Sequence, residues 1–277
     1  MKYKRLSKII SFVFLLGMGM IWIFPTVWGF TNSFRTQADF IRNTNRLIPT
    51  QWVLSSYAAA LNSTSAPLMT WFRNSVVISV SHVFLVVVVV SLAAFGYTRL
   101  QFKGRDAIFF FLLGTMMFPG VVNLIPLFAI VNTFGWINSP LAAIIPGASG
   151  VFNIFLVRQF MLGIPMELDE SARMDGASDL KIFLFIIVPL IRPVLTVVAL
   201  FSFVGSWNDF LWPSIVFTDM RRLPLTPGLQ LAQGSLAQII PSVLAGAMIA
   251  IAPTLLLFLM VQKYFVSSLS LSAGIKG

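Results

Sequence analysis

Six long apolar stretches, set apart by short charged segments, constrain this chain more than any other feature. They run at about 9–31, 74–97, 107–131, 137–157, 194–217 and 241–262. A helix of roughly 20 apolar residues crosses the hydrocarbon of a bilayer. In hydrocarbon every backbone N–H and C=O must be paired internally, so only helices and closed barrels span it. A barrel would show segments of about ten residues alternating in polarity, and the sequence has none. Val86 to Val90 is a local strand signal, but inside so long an apolar run the helix reading wins. The expected fold class is an all-α integral membrane protein with six transmembrane helices, one domain over 1–277.

Composition agrees. Hydrophobic residues make up 57% and charged residues 10%, against roughly 25% charged in soluble domains. There is no cysteine and a single histidine, so neither a disulfide framework nor a metal site is expected. A net charge of +10 could signal nucleic acid, but no basic stripe with interleaved aromatics accompanies it. Lysine and arginine instead set orientation. With the N-terminus inside, 13 of the 19 basic residues fall on inner segments, among them Lys2, Lys4, Arg5, Lys8, Arg99, Lys103, Arg105 and Arg158. The other six, Arg35, Arg42, Arg46, Arg73, Arg221 and Arg222, fall outside. Both termini are then cytoplasmic. The uncharged run from Ile9 to Phe34 exceeds the 7–15-residue core of a cleaved signal and no Ala-x-Ala follows it, so it reads as an uncleaved first span. The longest outer segment is about 32–73.

The inner loop 158–193 is longer than a connector needs and holds five of the nine acids: Glu167, Asp169, Glu170, Asp175 and Asp179. Its grammar is helix, break, helix. Pro165 suits a first turn, the acids suit the positive end of a helix dipole, and Gly176 suits a C-terminal stop. Ser178 is placed to cap a second helix. In that helix Leu180, Phe183, Leu184 and Ile187 share one face, and Pro189 and Pro193 end it. The short charged helix is either a solvated surface element or a docking element for a soluble partner.

Glu170-Ser171-Ala172, three residues, Gly176, nine residues, then Ile186-Ile187-Val188-Pro189 resembles the EAA motif of ABC importer permeases. Ser171 stands where the motif has alanine and Val188 where it has leucine. Further segments resemble the MalG-like branch of sugar importers, of MetI-like permease type. These are Arg73-Asn74-Ser75, the run Ala94 to Arg99 followed by Phe102-Lys103-Gly104-Arg105, Leu156 to Phe160, Trp207 to Pro213, and the ending Ser270 to Gly277. They occur in order from about 73 to 277.

The resemblance implies that Glu167, Asp169, Glu170, Ser171, Ala172, Arg173, Asp175 and Gly176 form a coupling helix seated on an ATPase subunit. It implies four kinds of partner: a second homologous permease, two ATPase subunits that hold ATP and magnesium, an extracytoplasmic sugar-binding protein, and membrane lipid. It places the chain in a bacterial or archaeal plasma membrane. It also implies that the tail 267–277 reaches the ATPase pair.

The chain lacks a G-x-x-x-x-G-K-[ST] phosphate loop, and no glycine precedes a lysine. No cofactor is therefore expected in this chain. No nucleophile–base or metal-ligand set marks it as an enzyme. Polar residues inside spans are candidates for a solute path. Asn123, Trp207, Asn208 and Asp209 are the candidates here, because aromatic faces beside hydrogen-bonding groups suit sugars. Asp209 reads equally as an interfacial anchor paired with Arg221 or Arg222, with Trp212 in the aromatic belt. His82 reads as a bond to a neighbouring helix or as a proton relay. Ser242, Gly246 and Ala250 form a small-residue face suited to a partner permease. A non-sugar cargo such as glycerol phosphate or a polyamine, and a gradient-driven transporter, stand as alternatives.

Overall fold

The computed structural model describes the backbone of residues 2–236 and 239–274 and the side chains of 7–232 and 239–262. Every regular element among them is helical. The principal helices are α1 (Lys2–Ser33), α2 (Leu68–Arg99), α3 (Arg105–Thr115), α4 (Leu124–Thr133), α5 (Val151–Leu162), α6 (Glu167–Met174), α7 (Arg192–Asn208) and α8 (Ile240–Gly274). Three contain unbroken membrane-crossing segments: Ser7–Ser33, Leu68–Arg99 and Ile240–Gln262. The window in α1 has mean hydropathy 2.1 with none of it buried by protein. An all-round apolar helix left uncovered is suited to lipid.

Three further helix pairs are sharply bent, and the candidate spans number between three and six according to whether each pair is one crossing. The third stretch is not one helix. It turns by 97° between Arg105–Thr115 and Gly120–Thr133. Pro119 at the break cannot donate an N–H and its ring excludes a continuing helix. The fourth is also discontinuous. Leu141–Ile144 is followed by a turn through Pro146 and Gly147, the latter at φ +81°, before α5 starts. α5 has 12 residues, about 18 Å at 1.5 Å per residue. The fifth begins with a 78° bend between Asp179–Leu190 and α7.

The chain divides into two compact units. In Met1–Met69 with Gly228–Ala252, the residues after α1 fold around Arg35, which is fully buried. Its guanidinium donates to the carbonyls of Asn43 (2.9 Å), Ile48 (3.0 Å) and Arg46 and lies 3.6 Å from Asp39. Phe34 packs on both Trp52 and Tyr57. Sequence reading had taken Arg35 only as an orientation charge. In the same unit Ser242 and Gly246 are buried. A Cβ on Gly246 would meet Leu229 at 2.9 Å and Leu68 at 3.6 Å. The small-residue face expected to meet another permease is thus occupied at Gly246 by this chain's own leucines.

In Thr70–Pro227 with Pro253–Gly277, a core of Val86, Val90, Ala94, Phe95, Ile154, Val157, Met161, Ile182, Ile187 and Val198 ties α2, α5, the loop and α7 together. The turn after α4 is clasped to 216–219. Asn138, at φ 60°, donates to Thr218 Oγ1 and accepts from the backbone N–H groups of Thr218 and Asp219. Asparagine is among the few residues that tolerate this backbone region.

Candidate functional site

Up to Gly176 the inner loop folds as its spacing suggests, with one inversion at Asp169. α6 spans Glu167–Met174 with three acids in its first turn, favourable at the helix's positive end. Gly176 adopts φ +81°. Its N–H donates to Arg173 O (3.0 Å) and the Ala177 N–H donates to Ala172 O (2.9 Å). These two bonds are the Schellman arrangement that satisfies the last carbonyls of a helix. The motif glycine is therefore a backbone requirement: a Cβ there meets nothing within 4 Å, but the left-handed conformation disfavours any other residue.

Glu167, Glu170, Ser171, Arg173, Asp175 and Gly176 are exposed, Ala172 is half-buried and Met174 is 89% exposed. Asp169 is the exception. It is 2% exposed and turns inward, so it holds the helix rather than presenting a surface. Its carboxylate lies 3.1 Å from Arg99 Nε at the end of α2. It does so as an ion pair without in-line hydrogen-bond geometry. Arg99 also donates to the carbonyls of Ile164 (2.9 Å) and Met161 (3.4 Å) and to the Met166 sulfur. In the sequence Arg99 is an inner charge at the end of the Ala94–Arg99 run, and nothing local to it signals this partnership.

After Gly176 the expected pattern gives way. Ser178 sits at the N-cap with extended backbone, yet its hydroxyl makes no capping bond. Arg173 instead pairs with Asp179 at 2.7 Å, an exposed pair worth little by itself. Leu180 and Leu184 are exposed, whereas Ile182, Phe183, Ile187 and Ile191 are buried. The expected stripe fails because Phe183–Ile187 is a π-helical turn, which shifts the register. Pro189 follows at once. A wider turn accommodates a residue with no N–H to donate and a ring that crowds the preceding carbonyls.

Asp209, alone of the four intramembrane candidates among the described residues, lines the cavity that also holds His82. Trp207 is buried, stacked on Phe203 and edge-on to Phe72, and its carbonyl accepts from Thr226 Oγ1. Asn208 and Asn123 are exposed, the latter ending the 3-10 turn Gly120–Asn123. Trp212 packs inside the protein: it is 9% exposed and donates to Ala142 O at 2.7 Å. No ion pair joins Asp209 to Arg221 or Arg222 among the described residues. The Asp209 cavity, about 530 Å³, lies between α2, the residues around Leu124, the turn before α5 and α7. Its polar lining adds His82, Asn153, Ser202 and Ser206, residues far apart in sequence. His82 Nδ1 lies 2.8 Å from Ile144 O, the bond to neighbouring backbone expected of a lone buried histidine. No cluster of metal-binding side chains occurs among the described residues. The tail reading falls on 267–277, whose side chains lie outside the described residues.

Straight and broken apolar helices, with a charged helix pinned to the end of α2, are the elements of a multi-pass membrane permease. Residues 86–270, more than half of the chain, match the family described as binding-protein-dependent transport system inner membrane component, and the chain belongs to that family. It is 33% identical to the arabinooligosaccharides transport system permease protein AraQ of Halalkalibacterium halodurans, over 99% of each chain. It is 31% identical to the trehalose/maltose transport system permease protein MalG of Thermococcus litoralis, again over 99% of each. Its fold matches a chain of the crystal structure of a bacterial ABC transporter involved in import of the acidic polysaccharide alginate. That match has a TM-score of 0.84 at 24% identity and covers 96% of this chain and 98% of the other.

Proposed function

We propose that this chain is the permease subunit of an ATP-driven importer of a neutral sugar or oligosaccharide, and that 165–178 is its coupling helix. In this reading it has no catalytic residue. ATP and magnesium are held by a pair of ATPase subunits, a second homologous permease completes the pathway, and an extracytoplasmic binding protein delivers the solute. Both termini and the 158–193 loop face the ATPases. The sugar assignment draws on the cargo named for AraQ and MalG.

The observation that carries the coupling role is the two-sidedness of α6. One side is anchored through buried Asp169 to Arg99, while Glu170, Ser171, Arg173 and Met174 stand outward. A load applied to the outward side reaches α2 through Arg99, and α2 lines the cavity with Ile78, His82 and Val86. ATPase closure and opening would then bias a bundle with two arrangements.

Co-purification in detergent with the ATPase tests this, comparing wild type, Glu170→Ala and Gly176→Pro. Proline cannot adopt φ +81° and removes the N–H that bonds Arg173 O. The expected result is an ATPase retained by wild type and lost, or uncoupled from transport, in the variants. A wild type that binds no ATPase, or variants that transport normally, would remove the coupling role.

A further inference from the structure

We propose that the cavity beside Asp209 is a subsite of this chain for a neutral polyhydroxyl solute, about one or two sugar rings in extent. The proposal rests on the sugar-import reading and adds that this subunit touches the cargo itself. At about 530 Å³ the cavity falls within the roughly 300–1,000 Å³ typical of small-molecule sites.

Ser202 is the informative residue. It is 9% exposed, it lines the cavity, and its buried hydroxyl has no partner among the described residues. A buried hydroxyl without a partner costs about 1–3 kcal/mol, and such groups call for an explanation. A rotation of its side chain toward the cavity would bring this hydroxyl to a solute hydroxyl at the wall, which would supply the missing bond.

The other polar groups on the wall are held in place with capacity to spare. A carbonyl only accepts, so His82 Nδ1 donates to Ile144 O and, in the neutral ring, Nε2 keeps its lone pair as an acceptor. Ser206 Oγ accepts from Ser79 Oγ at 3.3 Å, leaving its own proton to donate. Asn153 packs over Gly150, where a Cβ would come within 3.2 Å of its amide nitrogen. That amide offers both a donor and an acceptor. Phe152, Phe201 and Trp212 supply ring surface on the same wall. Donors, acceptors and aromatic faces together are what a sugar presents a use for: hydroxyls at its rim and C–H groups on its faces.

Charge narrows the class. No lysine or arginine is among the described residues that line the cavity, so a uronate or phosphate ester would find no permanent cation there. Asp209 is its one acid, and it faces the backbone N–H groups of Trp212 and Leu211. A polyamine would thus find one carboxylate already engaged. A neutral polyol fits the wall without an uncompensated charge.

The chain has no cysteine, so Ser202→Cys and Ser206→Cys each introduce its sole thiol. The transporter is assembled with its ATPase, partner permease and binding protein in vesicles. Wild-type uptake of maltotriose, arabinotriose, glycerol 3-phosphate and spermidine is measured first. Uptake of only the last two would overturn the sugar reading, and this proposal with it. Where a neutral sugar is carried, each variant that still carries it is labelled with a small maleimide, and mass spectrometry reads the modified chain. The expected result is labelling slowed about tenfold or more by the carried sugar and unchanged by glycerol 3-phosphate or spermidine. Labelling that ignores the carried sugar, or no labelling of either thiol in any transport state, would overturn the subsite while leaving sugar import intact.

Discussion

Arg99 Nε and Asp169 Oδ2 lie 3.1 Å apart with side chains 2% and 3% exposed, joining the end of α2 to the charged helix α6. Removing one member of a buried pair strands the other charge and costs about 3–5 kcal/mol, whereas replacing both with apolar groups is often near neutral. Asp169→Asn is therefore expected to destabilise the purified complex by about that amount, and the double variant Arg99→Met/Asp169→Leu by much less than the sum of its parts. A double-mutant cycle by denaturant unfolding in detergent measures it. Additive losses would show that the pair is not coupled.

Arg35 makes a second buried arrangement, this one in the segment after α1. Its guanidinium serves three backbone carbonyls, those of Asn43, Arg46 and Ile48. Lysine offers three donors from one point and cannot span them as the planar fork does. Arg35→Lys is expected to raise the rate of proteolysis within 36–54 about tenfold or more, because each unsatisfied buried carbonyl costs about 1–3 kcal/mol. A cleavage rate equal to wild type would deny Arg35 this role.

The same segment should respond to acid. Thr50 Oγ1 donates to Asp39 at 2.6 Å, Asn43 Nδ2 donates at 2.8 Å, and Arg35 lies 3.6 Å away. The Thr50 bond first, and then the other two, hold the Asp39 carboxyl below its ordinary value against the opposing effect of burial. A carboxylate with lowered folded pKa stabilises the fold above its unfolded value, about 3.9, and that stabilisation is lost as pH falls through the folded value. Protection against hydrogen exchange in 35–50, taken relative to the intrinsic amide rate at each pH, is expected to be high near neutrality and to fall on acidification below about pH 4. In Asp39→Asn that acid-dependent step should disappear. A step of the same size in the variant would assign the pH response to another group.

Much of this architecture is legible in the residues, because apolar length and glycine stops act locally. The three unbroken apolar helices follow from hydrophobic runs, and the end of α6 follows from Gly176, whose φ of +81° only glycine adopts freely. What is not legible depends on partners distant in the chain. Asp169 and Glu170 are adjacent acids, and only the approach of Arg99 from α2 decides which turns inward. Arg35 reads as a solvated charge until the carbonyls of 43–48 fold around it. The stripe through Leu180 and Leu184 assumes 3.6 residues per turn, and the π turn at Phe183–Ile187 breaks that period. The cavity collects His82 from α2, Asn153 from α5, and Ser202 and Asp209 from α7 and its C-terminal end, a juxtaposition with no signature in any one segment.

The central claim is that the outward side of α6 meets an ATPase, and thiol cross-linking tests it most directly. Met174 is 89% exposed on α6, and Leu54 is 67% exposed in the segment read as external. Met174→Cys and Leu54→Cys are each treated with a short thiol–amine cross-linker in membranes containing the whole transporter. The expected result is an adduct between this chain and the ATPase from Met174→Cys alone. No adduct from Met174→Cys, or an equal yield from Leu54→Cys, would contradict both the coupling role of α6 and the side of the membrane on which it is placed.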